Sequence, residues 1–203
     1  SKSAAYSQGE RNIEDAISLV QTATGSLDVI NEKLILMKEL AEQAATSTYT
    51  DEQRVIMQSE FSSLGSEIDR IANATTFNGM KLLDGSLSSS STRQTSSGWT
   101  EANGGLKIHF GPGANRDQDY YYISMPNINT NKLFSNSIPN ISTVGGAESA
   151  LTSVDSAITK KDNYQSYLGG IQNRLTASLE ATESMQDNTD YAIEKITGLD
   201  VAE

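Results

Sequence analysis

Between Ile13 and Ala44 the chain reads IEDAISLVQTATGSLDVINEKLILMKELAEQA. Its residues Ile13, Ala16, Val20, Ala23, Leu27, Ile30, Leu34, Met37, Ala41 and Ala44 follow alternating steps of three and four. That spacing keeps one apolar seam on one side of a helix, the heptad pattern of helices that pack lengthwise. Glu10, Glu14, Asp15, Asp28, Glu32, Lys33, Lys38, Glu39 and Glu42 fall between the seam positions, so the rest of the circumference is wet and charged. One helix over about residues 3–46 satisfies both patterns and is far longer than a compact domain of this size needs. Gly25 inside it costs about 1 kcal/mol against Ala, which a long packed helix absorbs.

Working outward, Thr46-Ser47-Thr48-Tyr49 breaks the pattern. Thr50 with Gln53 three residues on forms a capping box, and Asp51 and Glu52 suit the positive end of a new helix. That second helix, about residues 50–73, carries the stripe Met57, Phe61, Leu64, Ile68 and Ile71 and folds back on the first as a hairpin. A third stripe lies at the far end of the chain: Val154, Ala157, Tyr164, Leu168, Ile171, Leu175, Met185, Ala192, Ile196 and Leu199, over about residues 146–198. It is interrupted by Lys161, Ser178, Thr182 and Thr189, and softened at Gly169-Gly170. Three stripes of one period bury one another most simply as an elongated antiparallel three-helix bundle, a mostly-α fold in one domain over residues 1–203.

The region of about residues 77–145 reads as irregular and β, packed at one end of the bundle. Ser86 to Ser97 is too polar to bury much surface and reads as a mobile loop. Leu106-Lys107-Ile108-His109-Phe110 alternates, and Tyr120-Tyr121-Tyr122-Ile123-Ser124-Met125 is aromatic and β-branched, so both read as strands. Turn residues from Gly111 to Asp119 join them as a long-looped hairpin. Alternation over three tyrosines predicts two core-facing rings and one exposed ring. Residues from Asn127 to Thr143 read as extended or irregular.

Composition narrows the chemistry. The formal net charge of −11 repels phosphate backbones and anionic lipid, so neither nucleic acid nor a membrane surface is expected as a partner. There is no cysteine, hence no disulfide and no thiolate chemistry. His109 is the only histidine, which leaves no material for a His–His metal site, an HExxH helix or a Ser-His-Asp triad. Acid pairs such as Glu39 with Glu42 read as solvated helix faces. Gly111-Pro112-Gly113-Ala114-Asn115 lacks the Lys and helix start of a phosphate loop and reads as a turn. No enzyme activity, metal or cofactor is expected.

A family resemblance enters with particular segments. Asn31 to Ser47, Glu67-Ile68-Asp69-Arg70-Ile71-Ala72 running into Thr76-Phe77-Asn78-Gly79, Ile108-His109-Phe110 with Gly113-Ala114-Asn115, and Leu168-Gly169-Gly170-Ile171-Gln172-Asn173-Arg174-Leu175 together resemble bacterial flagellin. The resemblance implies a secreted, extracellular subunit that polymerises with other flagellin subunits into the flagellar filament for motility, escorted by export chaperones. It also implies that this chain is the inner-core rod without the terminal polymerisation helices. A fragment of that kind is expected to be soluble and mostly monomeric. Rival readings are a hook–filament junction protein and a coiled-coil adhesin or binding module, the latter predicting one continuous coiled coil through the middle of the chain.

Many flagellins are bound by Toll-like receptor 5 through an Arg, a Leu and a Glu on the first two core helices. By the resemblance the Leu falls on Leu40 and the Glu on Glu60, while Leu36 stands at the Arg position. Losing a planar guanidinium at a binding hot spot costs about 2 kcal/mol or more, so weakened recognition is expected. Leu36 beside Ile35 and Met37 also suits packing against a neighbouring subunit.

Overall fold

The computed structural model describes residues 2–88, 93–94, 100–101, 105–115 and 118–200. The first long stripe forms one helix, α1 (Lys2–Ala45), and all ten of its seam residues are buried. Its 44 residues span about 66 Å at 1.5 Å per residue.

After the break, α2 (Asp51–Ala74) begins at Thr50, whose side chain accepts from Gln53 N while the Gln53 side chain accepts from Thr50 N, the expected capping box. Buried Arg54 ties the corner. Its Nε donates to the Ala44 carbonyl at 2.7 Å, one Nη to the Thr46 carbonyl at 3.0 Å and the other to Asp51 Oδ1 at 2.8 Å. These bonds satisfy carbonyls that the end of α1 leaves without helical donors. The chain therefore turns back here, against the continuous coiled coil of the adhesin reading. Phe61, Gly65, Ile68, Ile71 and Ala72 form the buried side of α2.

Three two-residue or four-residue strand pairs follow. Thr76–Phe77 (β1) pairs with Met80–Lys81 (β2) across Asn78 and Gly79, whose φ values of 49° and 78° give the left-handed pair that a two-residue hairpin turn requires. Arg93–Gln94 (β3) pairs with Thr100–Glu101 (β4). Most of the Ser86 to Ser97 tract lies outside the described residues, as do Ser1, Gly104, Arg116, Asp117 and the final Val201-Ala202-Glu203.

Leu106–His109 (β5) and Tyr120–Ile123 (β6) form the expected hairpin, and it lies on the amino-terminal third of α1, where Asn12 Nδ2 donates to the His109 carbonyl at 2.8 Å. The tyrosine expectation is corrected. Ile108 pairs with Tyr121, and these two with Ile123 point inward, so one ring is buried while Tyr120 and Tyr122 share the outer face with Lys107 and His109. The region of 127–143 also holds a short helix, α3 (Thr130–Leu133), capped by the Asn129 side chain on Lys132 N. Leu82, Leu83, Leu87, Met125 and Ile128 are buried in the core, and their segments are joined by Met125 N donating to Leu87 O and Ile128 N donating to Leu83 O.

The chain closes with α4 (Val144–Asp200), a single helix of 57 residues that runs through Gly169-Gly170 without a break. It is antiparallel to α1. Lys38 Nζ meets Asp155 Oδ1 at 2.7 Å, Gln165 Nε2 donates to Asp28 Oδ1 at 2.7 Å, and the Gln186 amide nitrogen donates to Glu10 Oε1 at 2.7 Å. Ala147, Ala150, Val154, Ala157, Leu168 and Leu175 are buried along this seam, and Lys161 and Thr182 are buried at seam positions too. The last turns of the third stripe do not follow it inward. Met185 is 52% exposed although it still lies beside α1, and Ile196, where α4 runs on past the start of α1, is 69% exposed. The result is a mostly-α bundle in which α1 packs extensively on α4 and against α2, with small antiparallel strand pairs beside it.

Candidate functional site

The seam is closed, so what the molecule offers to others is its outside. On α1, Leu36 is 43% exposed and Ile35 44%, while Leu40 is half-buried against the core. On α2, Glu60 is exposed, and so are Val55 at 56% and Ile56 at 71%. The Arg54 corner makes the start of α2 level with the end of α1. Helical rise then sets Ile56 near the height of Leu40 and Glu60 near that of Leu36. The three residues singled out by resemblance thus occupy neighbouring antiparallel helices at similar heights. Ile35, Val55 and Ile56 are further large apolar residues exposed on these two helices. Val55 and Ile56 went unread in the sequence, although two adjacent large apolar residues just off the Met57 stripe were the available signal.

Around this surface the guanidinium groups are already engaged. Arg54 is buried in the corner, and Arg70 makes two bonds to Glu67, at 2.6 and 2.8 Å. Those bonds hold the Glu67 carboxyl below its usual range. Lys38 is drawn to Asp155 on α4, and that contact raises its pKa. On α1, Glu32 and Lys33 lie one turn before Leu36 and Glu39 one turn after it, so its setting carries charges of both signs.

A cavity of about 300 Å³ lies between α1 and the hairpins, lined by Asn12, Leu19, Phe77, Met80 and Ile108 among others. Another, of about 340 Å³, is lined by Tyr6, Phe110, Pro112, Asp119, Ser178 and Met185 among others. His109 Nε2 lies 2.9 Å from the Gly113 carbonyl, and its ring stacks on Tyr120. The turn after His109 is filled from within: Asp119 accepts from Gly113 N at 3.0 Å and Asn115 N at 2.8 Å, so these amides are spent on the chain's own carboxylate. Burial raises the Tyr121 phenol pKa, opposed by Ser178 and by Arg174, which sits 4.1 Å over the ring. Among the described residues no group of three or more His, Asp or Glu side chains could hold a metal ion.

Two long antiparallel helices from opposite ends of the chain, a folded-back third helix and several large apolar side chains on the outside of the bundle define an elongated helical-bundle class of protein. Comparison with known proteins names it. Residues 1–88 match the N-terminal helical region of bacterial flagellin and residues 151–203 its C-terminal helical region. The flagellin of Halalkalibacterium halodurans is 32% identical over 96% of this chain and 65% of its own length. The flagellar filament 33 kDa core protein of Treponema phagedenis is 31% identical over 96% of this chain and 67% of its own. The crystal structure of Bacillus cereus flagellin superposes with a TM-score of 0.67 at 28% identity, covering 85% of this chain and 88% of that one. This chain belongs to the flagellin family. It spans about two thirds of the length of these curated relatives. The family is structural, and its members are exported, extracellular components of the flagellum. No helix among the described residues is long and apolar enough to cross a membrane.

Proposed function

We propose that this chain is the helical core of a subunit that polymerises with its own kind into the bacterial flagellar filament. The observation that carries the reading is the set of large apolar side chains Ile35, Leu36, Val55 and Ile56 left outside a bundle whose seam is already closed. Exposed apolar residues grouped on one surface mark interaction sites, and open-ended assembly needs a surface that meets a different surface on the next copy. Relatives named as filament core proteins support the same reading. The test is full-length protein carrying Leu36→Asp with Ile56→Asp. The wild type forms filaments visible by electron microscopy, and the double variant keeps its helical circular dichroism but stays monomeric. Filaments from the double variant at the wild-type yield would overturn the assignment of this face.

The same face supports a second reading, weak recognition by Toll-like receptor 5. Leu40 and Glu60 lie at neighbouring heights on α1 and α2, and exposed Leu36 offers an aliphatic chain where a guanidinium would bind. Leu36→Arg is expected to tighten receptor binding about tenfold or more in a direct binding assay. Unchanged affinity would sink this reading and leave the filament reading intact.

A further inference from the structure

Among the described residues the α1–α4 seam contains one buried charged side chain, and its surroundings give it a task. Lys161 follows Val154 and Ala157 in the steps of three and four that lead on to Tyr164 and Leu168, so it occupies a seam position, and it is 3% exposed. Its Nζ lies 2.6 Å from Asp162 Oδ1 and donates to Gln165 Oε1 at 2.8 Å. Gln165 Nε2 in turn donates to Asp28 Oδ1 on α1 at 2.7 Å. The Gln165 amide is held at both ends, and through it the buried ammonium is linked to the opposite helix.

The apolar seam alone fixes the lengthwise position of α4 poorly. On α1 the seam residues recur at seven-residue intervals, Ile13, Val20, Leu27, Leu34 and Ala41 in one column and Ala16, Ala23, Ile30, Met37 and Ala44 in the other. A slip of one heptad therefore still sets apolar against apolar. The polar bridges behave differently. After a slip in one direction Asp155 faces Asn31 in place of Lys38, Gln165 faces Gln21 in place of Asp28, and Gln186 faces Ser3 in place of Glu10. In the other direction the same three meet Ala45, Ile35 and Ile17. Lys38 then faces Glu148 or Asp162, and Asp28 faces Ile158 or Gln172, so exposed bridges can re-form, but the relay from the buried Lys161 through Gln165 to a carboxylate on α1 exists only in the observed register. Lys38–Asp155 is solvent-exposed and contributes little. The buried ammonium is the costly group, because a slip removes the anchor that holds Gln165 against it.

We propose that Lys161 is a register lock: a buried charge that, through Gln165 and Asp28, admits one lengthwise alignment of α4 on α1 and makes heptad-slipped alignments unfavourable. The device works within one chain and holds whether or not the chain polymerises.

The chain has no cysteine, so introduced pairs report alignment without competition. Lys38→Cys with Asp155→Cys reads the observed register, and Lys38→Cys with Glu148→Cys reads a one-heptad slip. Each pair is treated with a short bis-maleimide in dilute solution, and the intramolecular product is counted. With Lys161 present only the first pair should cross-link. With Lys161→Met the slipped pair should reach about a tenth or more of the native product, whereas Lys161→Arg, which keeps the charge, should restore a single register. Asp28→Ala changes the α1 end of the link alone, spares the seam, and should give the slipped product in smaller amount. Absence of slipped product in both Lys161→Met and Asp28→Ala overturns the proposal, and so does equal slippage in Lys161→Arg and Lys161→Met.

Discussion

Asp69 receives both the backbone N–H and the hydroxyl of Thr130, at 2.7 and 2.8 Å, across 61 residues of sequence. This one carboxylate on α2 fastens the start of α3, and buried Thr130 gives its hydroxyl proton to Asp69. Hydrogen bonds to a charged group contribute more than neutral ones, and an orphaned buried donor is costly. Asp69→Ala should therefore lower stability by about 2–3 kcal/mol in urea unfolding. A loss within error of zero would show that α3 is held by its apolar contacts alone.

Arg54 gives a second, independent handle on the fold. Its guanidinium spans two carbonyls from two residues of the corner, Ala44 and Thr46, as well as Asp51. Lys has a single ammonium and cannot reproduce a planar fork. Arg54→Lys should cost about 2 kcal/mol or more, and Arg54→Ala about as much again, seen as a fall in thermal midpoint. If Lys serves as well as Arg, the fork geometry is irrelevant to the corner.

In the β5–β6 turn, Asp119 occupies the amides of Gly113 and Asn115, and a Cβ on Gly113 would stand 2.6 Å from Asp119 Oδ2. Removing the carboxylate and crowding it should act alike. Asp119→Ala and Gly113→Ala are each expected to cost about 1–3 kcal/mol and to speed hydrogen exchange at Phe110 and Gly111, whose amides bond the Asp119 carbonyl. Exchange unchanged in both variants would mean that the turn holds itself without this side chain.

The acid group where α1 meets α4 sets a pH dependence. Desolvation first, then the charges of Glu183, Glu14 and Asp187, raise the Glu10 pKa above 4.5, with Arg11 opposing. A carboxyl with a raised folded-state pKa is destabilising when ionised, so its cost is present at neutral pH. That cost is relieved as pH falls through the folded-state value toward the ordinary carboxylate range. Glu10→Gln should raise the thermal midpoint at pH 7 and lose that advantage near pH 4. An equal effect at both pH values would assign the gain to packing.

The long helices were legible because nothing else explains ten seam residues at unbroken heptad spacing, and all ten are buried. The capping box at Thr50 was legible for the same kind of reason, a local bond fixed by local spacing. The β1–β2 pair and α3 are two and four residues long, too short to show a period, and they depend on a left-handed Asn78-Gly79 turn and on Asp69 from a distant helix. Which tyrosine turns inward is decided by pairing with Ile108, a long-range register that alternation alone leaves open. Arg54 was missed because an arginine near a helix start ordinarily reads as solvated, and its burial comes from carbonyls that only the folded corner brings together. Of the outer face, Leu36, Leu40 and Glu60 came from resemblance, whereas Val55 and Ile56 emerge only once α2 is seen to turn its stripe away from them.

The most direct test of the whole account is an electron cryo-microscopy map of filaments grown from the full-length protein, read at the side chains of this face. The account predicts α1 and α4 paired within each subunit, with Lys38 still on Asp155, and Leu36, Val55 and Ile56 covered by a neighbouring subunit. Filaments in which those three side chains face solvent, or in which α1 pairs with an α4 from another subunit, would contradict it.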